Sequence, residues 1–141
     1  MGNVVVTTHI AAPPERVWRA LTVPEEVTAW DGVTPVDVAP DYPVVGQHAR
    51  WRTALGPLPL VLHDRITVVD APSRFAARID VGFVHVEEEY QLSVGAAGAT
   101  VLVTDDAVSS RVPGLGWLAV WLTQREVTAS MARLRAHCEA S

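Results

Sequence analysis

Residues 9–30 have the sequence HIAAPPERVWRALTVPEEVTAW, and this stretch constrains the fold of the whole chain. The prolines and glutamate at 13–15 predict a helix start, because the first turn does not use the N–H that proline lacks and attracts negative charge. This helix is expected to reach about Leu21. The same signal at Pro24 starts a second short helix, which should end near residues 30–32. Neither helix is long enough to be stable alone, so both must pack against a larger element.

Runs rich in valine and threonine on both sides of the two helices predict a β-sheet. One strand covers residues 3–10, and the proline-rich residues 32–46 predict a strand that is interrupted by a loop. Turns that contain glycine or proline separate the remaining strands, which we place at residues 47–54, 58–69, 75–81, 83–93 and 100–108. Turns this short between consecutive strands predict antiparallel pairing.

A long C-terminal helix is predicted after the turn at residues 113–116. Residues at spacings of three and four define one face of this helix, namely Trp117, Val120, Gln124, Val127, Met131, Leu134 and Cys138. That face must be buried on the inner side of the sheet. Residues 1–141 are therefore predicted to form one α+β domain, in which a curved antiparallel sheet wraps the long helix and leaves a cavity at one end.

The composition excludes several classes of protein. With 141 residues and a formal net charge of −5, the chain fits one domain and offers no basic face for nucleic acid. All eleven basic residues are arginine, which rules out a lysine Schiff base and the lysine of a P-loop. No glycine motif for a dinucleotide occurs, so no cofactor is expected. No metal is expected either, because His85, Glu87 and Glu89 lie on one strand face, and metal ligands usually converge from separate elements.

The expected location is the cytoplasm. The first residues lack the basic and long apolar regions of a signal peptide, and the longest apolar run, residues 115–122, is too short to cross a bilayer. The single cysteine, Cys138, excludes an intrachain disulfide and is interpreted as a packing residue.

The opening segment resembles that of the Bet v 1-like, START-related superfamily of polyketide cyclases, dehydrases and lipid transport proteins. Residues 9–30 match its succession of strand, Ala-Pro, Val-Trp and a second helix that ends in Trp30. Residues 79–94, IDVGFVHVEEEYQLSV, and residues 99–106, ATVLVTDD, resemble its late hairpin. The resemblance implies a helix-grip fold with a deep cavity between the sheet and the C-terminal helix.

Arg65 is the first candidate catalytic residue. In the aromatase/cyclases of aromatic polyketide synthesis, a pocket arginine matches Arg65, so the resemblance implies an inward guanidinium that stabilises an anion formed from a ketone. His63, two residues earlier on the same face, is a candidate proton carrier. The alternation along the strand supports the opposite orientation. If the apolar residues at 60, 62, 66 and 68 form the core face, Arg65 and His63 point outward. Both orientations stay open at this point.

Glu88 and Asp106 are the candidate proton carriers on other strands. Glu88 shares an alternating face with apolar residues at 84, 86 and 92 and with Tyr90. A carboxylate on such a face must be paired, protonated or at a cavity, and a structural pair with an arginine is the alternative to catalysis. Asp106 shares a face with Leu102 and Thr104; the alternative is a charged strand end.

The candidate substrate-binding residues are Trp30, Trp51, Tyr90, Trp117 and Gln124. The resemblance places Trp30 on a pocket tryptophan and Gln124 on a helix asparagine of the aromatase/cyclases. The alternative for the aromatic residues is an ordinary core position, and for Gln124 a hydrogen bond to a backbone group. Trp117 also has Trp121 four residues later, which suggests a lid over the cavity or a contact between two copies of the chain.

The sequence therefore favours an enzyme that binds a hydrophobic, oxygen-rich small molecule in an internal cavity. Its reaction would be a cofactor-free cyclisation or dehydration of a polyketide-like intermediate, a lyase or isomerase reaction of the kind used in antibiotic biosynthesis. The first alternative is a non-catalytic carrier of a lipid or hydrophobic metabolite, which needs the cavity but no proton carrier. The second is a protein-binding module, which would have a filled core. A membrane is not an expected partner, and a homodimer is left open.

Overall fold

The computed structural model describes residues 2–140. In chain order its elements are β1 (Gly2–Ile10), α1 (Pro14–Thr22), α2 (Pro24–Asp31), β2 (Thr34–Asp37), β3 (His48–Leu55), β4 (Leu58–Asp70), β5 (Arg74–Val81), β6 (Val84–Val94), a 3-10 turn (Ala96–Gly98), β7 (Thr100–Ser110) and α3 (Gly116–Glu139).

The described strands form one sheet in the order β1-β7-β6-β5-β4-β3-β2, and all neighbours are antiparallel. The sheet is curved, and the long helix α3 follows it in the chain, with α1 and α2 inserted after the first strand. The predicted α+β helix-grip fold is therefore confirmed. Between β1 at one edge of the sheet and β2 at the other, the chain passes through α1, which contacts β6, and α2, which contacts β2.

The two short helices are held by their ends. Val23 ends α1 and directly precedes Pro24 at the start of α2, and Gly32 ends α2 with φ of 80°, a left-handed conformation that glycine adopts at least cost. The indole Nε1 of Trp30 donates to the Ala20 carbonyl over 2.7 Å, which fixes α2 against α1. From α3, Arg133 Nε donates to the Trp30 carbonyl over 3.1 Å. The C-terminal end of α2 is thus fixed from two sides.

The helix α3 packs mainly against β1 and β7. Its buried residues are Ala119, Thr123, Val127, Ser130, Met131, Leu134 and Cys138. The predicted face is right from Val127 onward but wrong in the first turns, where Trp117 and Gln124 are exposed. In these turns the smaller residues Ala119 and Thr123 are buried instead, because the start of the helix lies close to the sheet. A Cβ added at Gly2 of β1 would be 3.5 Å from the Val120 side chain.

None of the helices within residues 2–140 combines the length and the apolar character that crossing a bilayer requires.

Candidate functional site

A cavity of about 80 Å³ lies between the two short helices and the inner face of β3 to β6. Its aromatic wall consists of Trp30, Tyr42, Trp51, Phe75 and Tyr90, and its acidic groups are Asp31, Asp64 and Glu88. The resemblance implied a cavity between the sheet and the C-terminal helix. Residues of α3 do not line the cavity, which lies against α1 and α2 instead. A volume of this size holds a few water molecules or a small organic group, and it is smaller than the usual site for a drug-sized ligand.

Asp64 is the most buried carboxylate that lines the cavity, with 8% of its surface exposed. It lies on β4 between Leu62 and Ile66 in register with the apolar face. Its Oδ2 accepts a hydrogen bond from Trp51 Nε1 over 3.2 Å and from the Tyr42 hydroxyl over 3.3 Å. Burial raises the pKa of Asp64 to about 6, against the opposing effect of these two hydrogen bonds. The other oxygen, Oδ1, has no hydrogen-bond partner among the described residues.

Glu88 and Asp106 form a carboxyl pair across two neighbouring strands. They are directly opposite in the register of β6 and β7, and their side chains hydrogen-bond to each other. Two carboxyl groups can make that bond only when one of them holds a proton. Asp106 is 1% exposed, whereas Glu88 is half-buried and lines the cavity. The pair therefore has one buried member and one that faces the cavity.

Burial is the main cause that raises the pKa of both members of this pair, and the neighbouring charge of Glu88 raises that of Asp106 further. Tyr90, two residues after Glu88 on the same face, hydrogen-bonds to the Glu88 carboxyl group. Burial and the nearby acidic groups raise the pKa of the Tyr90 phenol well above its usual value. Tyr90 therefore stays neutral and supplies a hydroxyl donor.

Asp31 ends α2 at the edge of the cavity. Burial raises the pKa of Asp31 to about 6, and the charge of Glu88 adds to this effect. Its closest cation is Arg133, whose guanidinium Nη2 lies 3.6 Å from Asp31 Oδ1 and is also bonded to Glu126. Among residues 2–140, neither an arginine nor a histidine lines the cavity itself. The cavity is thus acidic, and its counter-charge is at the rim.

Of the two orientations left open for Arg65 and His63, the structure shows the outward one, and the inward guanidinium that the resemblance implied is wrong. Both side chains are exposed on the outer face of β4. The strand follows its own alternation, which buries Asp64 and Ile66 and places every second residue outside. The anion-stabilising role that the resemblance implied for Arg65 therefore has no geometric basis.

Two further candidates lie away from the cavity. Trp117 is 68% exposed near the start of α3, and Gln124 is exposed with its amide bonded to Thr128 on the same helix. The other candidates are placed at the cavity or directly behind it: Trp30, Trp51, Glu88 and Tyr90 line it, and Asp106 is opposite Glu88. The alternative of a structural pair between Glu88 and an arginine is wrong, because its partner is Asp106.

The sequence reasoning missed Asp64, Asp31 and Tyr42. For Asp64 the signal was present, since it alternates with Leu62 and Ile66 as Glu88 alternates with its apolar neighbours. Asp31, next to Gly32, has the appearance of an ordinary helix end. Tyr42 lies in an irregular segment between β2 and β3, for which no periodicity predicts a side-chain direction.

A second, open hollow of about 410 Å³ lies outside the cavity, between the start of α2 and the segment after β2. It is lined mainly by apolar side chains that include Val23, Pro35 and Val38. Tyr42 lines both the hollow and the cavity, so its ring is the wall between them.

Comparison with solved structures supports the same fold. DynU16, from the dynemicin biosynthetic locus, is 23% identical with a TM-score of 0.72; the match covers 97% of this chain and 47% of that one, so this chain spans about half of the DynU16 chain. A protein from Rhodobacter sphaeroides is 21% identical with a TM-score of 0.76, covering 98% and 92% of the two chains. A protein from Arthrobacter aurescens is 11% identical with a TM-score of 0.79, covering 99% and 87%. At these identities the likeness shows the fold alone.

The sequence comparisons give the family. No curated protein matches the chain. The family model described as "Polyketide cyclase / dehydrase and lipid transport" matches residues 1–139, which is nearly the whole length. With the helix-grip fold and the acidic, aromatic cavity described above, this match identifies the chain as a member of the polyketide cyclase / dehydrase and lipid transport family.

Proposed function

We propose that the protein is an acid–base enzyme that dehydrates or cyclises a small oxygenated compound in the cavity, without a cofactor. The observation that carries this proposal is the Glu88–Asp106 carboxyl pair, one member of which faces the same cavity as Asp64. Carboxyl groups whose environments hold them in different protonation states are the usual arrangement for an acid and a base in one site.

Glu88 is the proton donor in this proposal. Burial keeps a proton on the Glu88–Asp106 pair at neutral pH, since it raises the pKa of Asp106 to about 10 and also raises that of Glu88. Glu88, as the member that faces the cavity, passes this proton to the substrate. A neutral carboxyl group in an apolar site can donate a hydrogen bond or a proton to a substrate oxygen. It would thereby stabilise the negative charge that develops there, the role that the resemblance implied for Arg65. The Tyr90 hydroxyl, bonded to Glu88, holds the carboxyl group in place.

Asp64 is the base. With its pKa at about 6 it is mainly ionised at neutral pH, and Oδ1 is the oxygen left without a partner among the described residues. Tyr42 and Trp51 hold the carboxylate through Oδ2. These two bonds orient the carboxylate at the wall of the cavity, where Asp64 accepts the substrate proton.

For a dehydration the atoms balance as follows. Asp64 takes the proton from the carbon next to the substrate carbonyl, and that electron pair forms the new carbon–carbon double bond. The hydroxyl group on the neighbouring carbon leaves with the proton of Glu88 as water. The proton on Asp64 then returns to the Glu88–Asp106 pair through solvent, which restores the starting state.

The size of the cavity favours catalysis over lipid transport. About 80 Å³ accommodates the reacting end of a molecule but not an acyl chain.

The test is turnover of a panel of β-hydroxy ketones and poly-β-ketones by the wild type and by two variants with the same change of charge. Glu88→Gln should reduce turnover by at least about a hundredfold, the lower range for loss of a general acid, while substrate binding is retained. Glu87→Gln, on the outer face of the same strand, should turn over at the wild-type rate. Binding without conversion by the wild type across the panel would contradict the proposal and favour the carrier function.

A further inference from the structure

The charge of the cavity specifies what kind of molecule fits it. Asp31 faces it from α2, Asp64 from β4 and Glu88 from β6, with Asp106 behind Glu88. The other titratable groups that line it are the hydroxyls of Tyr42 and Tyr90, which stay neutral. At neutral pH Asp64 and Asp31, with pKa values of about 6, are mainly ionised, and burial keeps at least one proton on the Glu88–Asp106 pair. Within residues 2–140 no cationic side chain lines the cavity to balance this charge.

One of these carboxylates is only partly hydrogen-bonded by the described residues. Only 8% of the surface of Asp64 is exposed, yet its Oδ1 has no hydrogen-bond partner among the described residues. A buried carboxylate oxygen without a donor is costly, and such atoms normally bond to protein, water or a ligand. A positive charge in the cavity beside Asp64 would offset part of this cost.

The remaining wall is aromatic. The rings of Trp30, Trp51, Tyr42, Tyr90 and Phe75 line the cavity, and Tyr42 and Trp51 meet edge to face at 5.8 Å between ring centroids. Aromatic faces attract cations, most strongly where water is excluded. Among residues 2–140, no three acidic, histidine or cysteine side chains are arranged as ligands of one metal ion. Aromatic and acidic groups in this arrangement fit an organic cation.

We propose that the ligand of this cavity carries a small organic ammonium group, so that the substrate class is an amino ketone or amino alcohol. This inference rests on the proposed function only in naming the substrate of the same cavity. The ammonium group lies against the rings, and its positive charge offsets part of the negative charge of the carboxylates that line the cavity. A positive charge beside the reacting carbon also makes its proton easier to remove by the base.

The first test compares three probes of nearly equal shape: tert-butylammonium, tert-butanol and trimethylacetate. Binding is followed by the NMR shifts of the indole N–H groups of Trp30 and Trp51, which lie at the cavity. Tert-butylammonium is expected to bind at least about tenfold more tightly than tert-butanol, and trimethylacetate to bind most weakly. Equal affinity for the cation and the alcohol would overturn the proposal, and so would absence of binding by all three probes.

The second test identifies the groups that hold the cation. Asp64→Asn and Asp31→Asn should each weaken tert-butylammonium binding by about tenfold and leave tert-butanol binding unchanged. Glu87→Gln changes the net charge by the same amount on the outer face and should leave both affinities unchanged. If Glu87→Gln weakens binding as much as the two cavity variants, the attraction is a general surface effect and the proposal is wrong. Circular dichroism of each variant checks that it is folded.

Because these probes do not react, the two proposals can fail separately. Cation binding without any turnover, or turnover that Glu88→Gln does not reduce, would leave the ammonium site in place and contradict the acid–base mechanism. Turnover of neutral β-hydroxy ketones with no preference for the cationic probe would support the mechanism and contradict the ammonium site.

Discussion

Glu88 and Asp106 are opposite each other on β6 and β7, and their carboxyl groups share a hydrogen bond at the back of the cavity. Asp106 Oδ1 has no hydrogen-bond partner among the described residues, so the pair is only partly satisfied by the surrounding protein. Such an arrangement is unfavourable for stability unless a proton remains on the pair. Residues that cost stability without serving the core are typical of functional sites.

Stability is expected to fall as the pH rises. Burial raises the pKa of Asp64 to about 6, so at intermediate pH the folded chain holds a proton that the unfolded chain has lost. Stability is then fully present below about pH 4 and is lost as the pH passes 6. For Asp64 alone the loss is about 3 kcal/mol at neutral pH. Urea unfolding between pH 4 and 8 measures it.

The control for this pH dependence is a pair of isosteric variants. Asp64→Asn should make the decline smaller, because the amide does not titrate, and leave the part due to Asp31, whose pKa is also raised to about 6. Asp37→Asn, whose side chain is 70% exposed, should leave the decline as it is. A free energy of unfolding that rises from pH 5 to pH 8 in the wild type would contradict the assignment.

Arg65→Ala is expected to leave the protein almost unchanged. Its side chain is on the outer face of β4, so we expect a change in the free energy of unfolding within about 0.5 kcal/mol. Turnover should stay at the wild-type level. A large loss of turnover in this variant would mean that the outer face of the sheet takes part in the reaction.

Tyr42→Phe tests the support of Asp64. The hydroxyl group that this change removes donates to Asp64 Oδ2 over 3.3 Å and lowers the pKa of that carboxyl group. The pKa of Asp64 should therefore move above about 6, and the acid side of the pH–rate profile should move with it. Carboxyl ¹³C NMR titration of both proteins measures this shift, and an unchanged or lower pKa contradicts the bond.

Glu26→Gln tests how the three helices are joined. The Glu26 carboxylate is 2.6 Å from Arg16 of α1 and 3.0 Å from His137 of α3. These groups are partly exposed, so we expect a loss of about 1 kcal/mol on thermal unfolding. Glu25→Gln, which is the exposed neighbour, is the matched control. Equal effects of the two changes would show that the contacts of Glu26 contribute nothing.

The fold could be predicted because local signals agree with each other. The prolines and acids at residues 13–15 and 24–26 start the helices, and Gly32 ends the second one. The buried face of the first turns of α3 could not be predicted. Ala119 and Thr123 are buried there because the sheet comes close, and neither belongs to an apolar pattern in the sequence.

The site could be predicted only in part. Alternation on β6 pointed Glu88 inward, and the same argument applied to β4 would have found Asp64 and excluded Arg65. The family resemblance implied the opposite face for Arg65, so the two orientations of β4 stayed open until the structure showed the outward one. The meeting of Asp31, Tyr42 and Asp64 depends on the path of the segment between β2 and β3, which has no periodicity.

The central claim is that one proton stays on the Glu88–Asp106 pair at neutral pH. Infrared difference spectroscopy detects a protonated carboxylic acid directly, against the background of the sixteen acidic residues of the chain. At pH 7 the wild type should give a protonated carboxyl band that the double variant Glu88→Gln/Asp106→Asn lacks. A wild-type spectrum at pH 7 that contains only ionised carboxylates, or a band that survives unchanged in the double variant, would contradict the account.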